Sequence, residues 1–262
     1  MLEANFGLGR NVVVPCEIAH FLETLGRQKT AFDRQFRRLR SSPSNENVHA
    51  LRLTIRRLGA QLWLVQQERK KLLPKRLVRS MELLDQDLGE YREVSVAIKD
   101  CESYGRKTKR LEAQGSKAKR ILLKGLTRKR QRKLLLKVDV LERRLRGFSK
   151  LDFSKGKSLL GRKLQLLLHK SALKDEEMHQ VRILTKKTRY CMECLGLPVT
   201  GLPDLQAHLG RGHDLEVLQG LVRRNKLIQR DRRKEYQRAR ELVGPALRRA
   251  LRQLGRGQRP KN

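Results

Sequence analysis

Residues 48–65 read VHALRLTIRRLGAQLWLV, and this stretch decides the fold. At about 100° per residue on an α-helix, its aliphatic side chains fall within about 80° of one another on one face. These aliphatic residues are Leu51, Ile55, Leu58, Leu62 and Val65. His49, Arg52 and Arg56 project side by side from the opposite face. Because cations stacked on a helix repel each other by roughly a few tenths of a kcal/mol per pair, an anionic ligand explains the arrangement better than helix stability does.

The same motif returns in the second half of the chain. His49-x-x-Arg52-x-x-x-Arg56-Arg57 is matched by His179-x-x-Arg182-x-x-x-Lys186-Lys187. One predicted helix further on, residues 88–96 (LGEYREVSV) align with residues 209–217 (LGRGHDLEV). The Gly shared by these two segments is expected to permit close helix contact. Two matched pairs in the same order indicate an internal duplication.

The chain is predicted to be all-α, because strand-type alternation is nearly absent beyond residues 11–14. Helical spacing and turn residues predict eight helices at roughly 17–40, 45–71, 75–103, 107–146, 157–172, 176–195, 203–225 and 229–253. The first four and the last four belong to separate halves. Two four-helix bundles related by an approximate internal twofold, with a basic groove between them, form the simplest architecture for this order.

The composition indicates a polyanionic partner. Lys and Arg number 62 against 27 Asp and Glu, which gives a formal net charge of +35. DNA, RNA, inorganic polyphosphate, an acidic polysaccharide and an anionic membrane surface all fit this charge. No apolar run approaches the ~20 residues needed to cross a bilayer, so no membrane insertion is expected. Four cysteines give no disulfide framework, and we expect a soluble, cytoplasmic protein.

The repeated segments resemble the conserved-histidine α-helical domain, the CHAD family. Residues 48–58 resemble the first copy of its hallmark helix, and residues 178–193 resemble the second. The resemblance spans residues 16–254, with helical halves at 16–150 and 155–254. A separate N-terminal segment (1–15) and a disordered basic tail (255–262) are predicted to flank it. The resemblance implies non-enzymatic binding of inorganic polyphosphate on a basic central surface, no cofactor, and association with polyphosphate granules.

The same resemblance implies which side chains would bind phosphate. Arg offers a planar fork with two parallel charge-assisted hydrogen bonds, Lys offers a point charge, and His donates more strongly when protonated. The predicted polyphosphate-binding residues are His49, Arg52, Arg56, Arg57, His179, Arg182, Lys186, Lys187 and Arg189. For each His the alternative is a structural hydrogen bond without ligand contact.

The two copies are not identical at the predicted site. Gly59 stands where the second copy has Arg189, Glu93 stands where the family usually has Asp, and His213 replaces a smaller polar residue. We therefore expect the first half to hold a ligand less fully. Glu93 and its counterpart Asp214 either orient a cation of the neighbouring helix or belong to an ordinary helix surface.

Enzymatic and metal-binding functions have little support in the sequence. Residues 156–158 (GKS) lack the earlier Gly of a phosphate-binding P-loop, since Leu151 stands there. Cys191 and Cys194 have metal-ligand spacing, but no second pair completes a site, so structural cysteines and no bound metal are predicted. No clustered carboxylates that could hold catalytic magnesium are visible.

The main alternative is a structured RNA- or DNA-binding protein that uses the same basic surface. Aromatic residues are only 4% of the chain, and no groove-reading motif stands out, which leaves shape-based duplex binding. A granule-coating interaction protein is compatible with polyphosphate binding. The basic runs at 128–133 and 230–234 are expected to raise the surrounding field more than they bind specifically.

Overall fold

The computed structural model describes residues 16–148, 151–170, 173–222 and 225–256. Within these ranges the chain forms nine α-helices, one short 3-10 helix (Lys70–Leu72) and no strand, which confirms the predicted all-α class. The helices are α1 (Cys16–Ser41), α2 (Asn45–Arg69), α3 (Leu77–Ser103), α4 (Lys109–Gly125), α5 (Arg128–Arg146), α6 (Ser154–Leu168), α7 (Asp175–Cys194), α8 (Leu202–Leu221) and α9 (Lys226–Arg256). None of these helices is long and apolar enough to cross a membrane.

The prediction of one helix over 107–146 is wrong, because the helix is interrupted at Leu126 and Thr127, between α4 and α5. Leu126 is only 2% exposed and anchors the turn in the core. Thr127 then caps α5 by accepting a hydrogen bond from the backbone N–H of Arg130 at 3.1 Å. The first half therefore holds five α-helices rather than four. The twofold relation between the halves stays a prediction.

The predicted boundaries of the terminal segments change in one place. Helix α9 continues through Arg256, so residues 255 and 256, which were predicted as part of the tail, belong to this helix. The physical reason is Leu254, which is 2% exposed and extends the apolar face of α9 by one residue beyond its predicted end. Residues 1–15, which include the strand-like stretch at 11–14, and residues 257–262 lie outside the described part of the chain.

Local sequence explains where the two motif helices, α2 and α7, begin. Ser44 caps α2 by accepting from the backbone N–H of Asn47 at 3.3 Å. Helix α7 has three acidic residues in its first turn, and one of them, Glu177, accepts from the backbone N–H of Lys174 at 2.9 Å. These contacts satisfy backbone donors that a helix start leaves open.

The core positions α2 and α7 side by side. The predicted aliphatic face of α2 is confirmed, since each of its five residues is at most 3% exposed. One contiguous apolar cluster joins residues of both halves, among them Phe21 and Leu58 from the first and Met192 and Leu247 from the second. Helix α2 packs against α7, and α3 packs against α8. The motif helices are thus neighbours at the centre of the molecule.

Candidate anion-binding groove

Helices α2, α3, α7 and α8 enclose a groove of about 410 Å³, here called the central groove. Six of the nine predicted site residues line it, three from α2 and three from α7. They are His49, Arg52, Arg56, Arg182, Lys186 and Arg189. Glu93 and Asp214 also line the groove, one from each of the aligned segments. Two motifs that are far apart in sequence therefore contribute to one cationic surface.

In the first half, the groove cations are held by a carboxylate of α3. Nε of Arg52 donates to Oδ1 of Asp85 at 3.2 Å, and Nε of Arg56 lies 3.6 Å from Oδ2. The guanidinium of Arg52 also lies on Gly89, where a Cβ atom would come within 2.8 Å of Nη2. Burial lowers the pKa of Arg52. The position of Arg52 thus depends on two features: its ion pair with Asp85, and the absence of a side chain at Gly89, on which its guanidinium packs.

In the second half, the corresponding cations have no such partner. Arg182 and Lys186 form no ion pair or side-chain hydrogen bond with any described residue, and Nε of Arg182 is buried and unsatisfied. Burial, together with the charges of Arg182 and Arg56, lowers the pKa of Lys186 to about 7. The nearby carboxylate of Asp214 is itself partly buried, and burial raises its pKa. These donors remain available to an anion.

The expected close contact at the shared Gly holds in one half only. Gly89 carries the Arg52 guanidinium, whereas the space around Gly210 is open to 4 Å. In α8 the close approach occurs two residues later, where a Cβ atom at Gly212 would come within 2.3 Å of the Tyr236 ring. In the second half, the close contact is therefore made by Gly212, and it joins α8 to α9 rather than to a motif helix.

Two predicted ligands, Arg57 and Lys187, lie outside the central groove and join α2 to α7 instead. Nε of Arg57 donates to Oε2 of Glu193 at 3.2 Å. Nζ of Lys187 lies 3.9 Å from the centroid of the Trp63 ring, a cation–π contact. In the duplicated pattern Arg57 corresponds to Lys187, and Trp63 corresponds to Glu193. The second cation of each motif helix thus contacts the equivalent position of the other motif helix.

Arg189 belongs to both regions. It lines the groove, and its Nε donates to Oε1 of Glu193 at 2.8 Å, beside the bond from Arg57. Its Nη1 also reaches Oε1 of Gln206 at 3.5 Å. One carboxylate of α7 therefore orders an arginine from each motif helix.

The histidines divide in a similar way. His49 lines the groove, and burial together with the charge of Arg92 lowers its pKa. His179 is not a lining residue, and its ring centroid lies 5.3 Å from that of His213, which does line the groove. Nδ1 of His213 is buried without a hydrogen-bond partner, and burial, reinforced by Arg182, lowers the pKa of His213 to about 4. His213 is therefore neutral at pH 7, and the surroundings of His49 favour its neutral form.

Sequence reasoning missed two groove residues and one acid that contacts the groove cations. Arg92 lines the groove without an ion-pair partner among the described residues, His213 lines it but was not assigned to the site, and Asp85 pairs with Arg52 and Arg56. A signal for the first two was present, because Arg92 and His213 occupy the same place in the aligned segments. A basic residue type at matched positions of both copies is the feature that also identified the motif helices.

Cys191 and Cys194 are buried within α7, away from the groove lining. Sγ of Cys194 donates to the carbonyl oxygen of Cys191 at 3.1 Å, and burial raises the pKa of Cys191 to about 12. Metal binding requires the thiolate, which this environment disfavours. The geometry supports the structural role predicted for these cysteines.

The family model of the CHAD domain matches residues 23–223. The crystal structure of the CHAD domain from the plant Ricinus communis has a TM-score of 0.66 and 20% identity, and covers 94% of this chain and 95% of that one. PptA from Streptomyces chartreusis has a TM-score of 0.59 and 18% identity, and covers 92% of this chain and 99% of that one. At these identities the likeness shows a shared fold. No curated protein matches.

Proposed function

The chain belongs to the CHAD family, and from this premise we propose that it binds inorganic polyphosphate in the central groove without catalysing a reaction on it. One observation carries the proposal. The two motif helices, which come from opposite halves of the chain, contribute six basic side chains to the same groove. Basic side chains from both halves in one groove are best explained by a single anionic ligand that contacts both halves.

The chemistry of the groove suits a chain of phosphates. Polyphosphate has roughly one negative charge per phosphate, so its receptor needs a series of fixed cations rather than one closed pocket. Arg52, Arg56 and Arg182 can each offer a planar fork to phosphate oxygens. An anion beside Lys186 would favour its charged form and raise its pKa again. Proton uptake would then accompany binding.

Basic side chains without a partner among the described residues also support an anionic ligand. A buried donor without a partner costs about 1–3 kcal/mol, and Nε of Arg182 is such a donor. Arg92 and Lys186 likewise lack ion-pair partners among the described residues. A phosphate chain along the groove would supply acceptors to all three at once.

Arg57 and Lys187 receive a different role in this proposal. Their contacts with Glu193 and Trp63 hold the motif helices together, so they shape the groove rather than bind phosphate. Association of the protein with polyphosphate granules would follow from binding of this kind, and it is part of the same proposal.

A competition titration tests the function directly. Long-chain polyphosphate is set against duplex DNA and structured RNA at equal phosphate concentration and about 150 mM salt, where non-specific contacts are largely screened. We expect a strong preference for polyphosphate. Equal or tighter binding of RNA would overturn the proposal in favour of a nucleic-acid-binding protein with the same fold.

A further inference from the structure

The two halves of the central groove differ in how their cations are neutralised. Arg52 and Arg56 share the carboxylate of Asp85, whose oxygens lie 3.2 and 3.6 Å from their Nε atoms. Arg182 and Lys186, at the matching positions of α7, have no ion-pair partner among the described residues. The first half thus carries its own counter-anion.

The difference originates at one position of the aligned segments. Asp85 lies three residues before Leu88, and Gln206 lies three residues before its counterpart Leu209. Gln206 lines the groove, but its side chain is uncharged and accepts from Arg189. The repeat therefore places a carboxylate against the groove cations of the first half and a neutral amide at the equivalent position of the second.

The two acids that line the groove, Glu93 and Asp214, do not cause the difference in neutralisation between the halves. Glu93 and Asp214 occupy equivalent positions, and each faces the cations of its own half. Neither comes within ion-pair distance of those cations. Asp85 is the acid without an equivalent.

We propose that Asp85 competes with polyphosphate for Arg52 and Arg56. Polyphosphate then binds first to Arg182 and Lys186, and it reaches the first half of the groove only after it displaces the Asp85 carboxylate. The inference rests on the proposed function and names the order in which the groove is occupied. Asp85 is then a specificity-determining residue that favours ligands long enough to cross from one half to the other.

The surroundings of Asp85 permit such a displacement. Its side chain is 30% exposed, so it can turn towards water, whereas Arg52 is 16% exposed and remains seated on Gly89. Both Asp85 contacts involve Nε atoms, and Arg56 is held only at 3.6 Å. A phosphate oxygen that approaches these guanidinium groups would replace a weakly held acceptor while the arginines keep their positions.

The test compares Asp85→Asn with a matched control on the same helix. Asp87→Asn removes the same charge, but Asp87 pairs at 2.8 Å with Arg130 of α5, a residue outside the groove lining, whereas Asp85 pairs with two arginines that line it. For long-chain polyphosphate we expect Asp85→Asn to lower Kd by about three- to tenfold relative to Asp87→Asn. For tripolyphosphate, which has only three phosphates, we expect capture by Arg182 and Lys186 alone, so that the two variants agree within about twofold. The reverse change, Gln206→Asp, is expected to weaken binding of both ligands.

Each other outcome overturns the inference in a distinct way. If Asp85→Asn and Asp87→Asn tighten long-chain binding equally, only net charge matters. If Asp85→Asn weakens binding, Asp85 positions its arginines for the ligand instead of competing for them. If tripolyphosphate gains as much as the long chain, the order of capture is wrong. Failure of the unaltered protein to bind polyphosphate would instead remove the proposed function itself. Thermal melting of each variant confirms that it is folded.

Discussion

Nε of Arg57 on α2 donates to Oε2 of Glu193 on α7 at 3.2 Å, and this bond crosses between the two halves of the chain. The equivalent residue Lys187 crosses in the opposite direction to Trp63. Neighbouring cations of one motif therefore have separate tasks. Arg56 faces the central groove, whereas Arg57 holds the motif helices together.

Loss of Glu193 is expected to weaken the junction between α2 and α7. Glu193→Ala would leave Arg57 and Arg189 without their shared acceptor, and we expect the free energy of unfolding to fall by about 1–2 kcal/mol. Urea denaturation measures this loss. The control is Glu23→Ala, whose ion pair with Arg27 is long (3.7 Å) and well exposed, so that little change is expected. Similar losses in both variants would contradict the assigned role of Glu193.

Charge removal in the groove should affect polyphosphate binding far more than equal charge removal elsewhere. We expect neutralisation of Arg52, Arg56, Arg182 and Lys186 to Gln to raise Kd at least about 100-fold at 150 mM salt, because each cation faces the ligand. The matched control neutralises four exposed cations that make no ion pair with described residues: Lys129, Arg132, Lys133 and Arg233. For this set we expect less than about tenfold. Equal effects in titrations of the two variants would leave only bulk attraction.

Gly89→Ala tests whether the packing of the Arg52 guanidinium on Gly89 contributes to polyphosphate binding. The new methyl group would meet Nη2 at 2.8 Å, so the flexible end of Arg52 must move away from its place. We expect polyphosphate binding to weaken by about three- to tenfold, while helix propensity keeps or raises stability by up to about 1 kcal/mol. Gly26→Ala in α1 is the control, since nothing lies within 4 Å of that position and it does not line the groove. Isothermal titration and thermal melting together separate the two effects, and an equal loss of binding in Gly26→Ala would refute the role of Gly89.

Polyphosphate affinity is expected to fall as the pH rises above 7. The pKa of Lys186 is about 7, and a bound polyanion would raise it, so binding takes up a proton between these two pKa values. Within that window Kd should rise by up to about tenfold per pH unit. The free energy of unfolding without added polyphosphate changes in the opposite sense, since unfolding returns Lys186 to its higher ordinary pKa and stability therefore increases with pH above 7.

The measurement is a set of titrations between pH 7 and 9 with long-chain polyphosphate, whose few terminal phosphates add little titration of their own. Lys186→Arg is the control, because a guanidinium keeps its charge throughout this range. We expect the variant to bind with much less pH dependence. An unchanged slope in Lys186→Arg would assign the proton uptake to another group.

The sequence predicted the main features of the fold because they depend on local periodicity. The aliphatic face of α2, including Leu58 and Val65, is buried as its spacing indicates. The break at Leu126 lies in a stretch where the basic run reads as continuous helix, and only Gly125 and Thr127 mark the end of α4 and the start of α5. Two boundary residues are a weak signal within a strongly helical stretch.

The direction of individual cations could not be predicted in the same way. Arg56 and Arg57 are adjacent, so the helix separates them by about 100°. That angle does not say which neighbour lies on each side. Packing places Asp85 beside one and Glu193 beside the other. The unequal neutralisation of the two halves likewise depends on what α3 and α8 present to the groove, which is a matter of tertiary structure.

The exchanged contacts between the motif helices are also chemically self-complementary. If two first halves met through the same exchange, Arg57 would lie against Trp63 in each copy and form a cation–π pair. Two second halves would place Lys187 against Glu193 and form a salt bridge. The seam between the halves is thus compatible with homotypic pairing as well as with the heterotypic pairing seen in the single chain. The four positions of this seam therefore tolerate either pairing without losing a favourable contact.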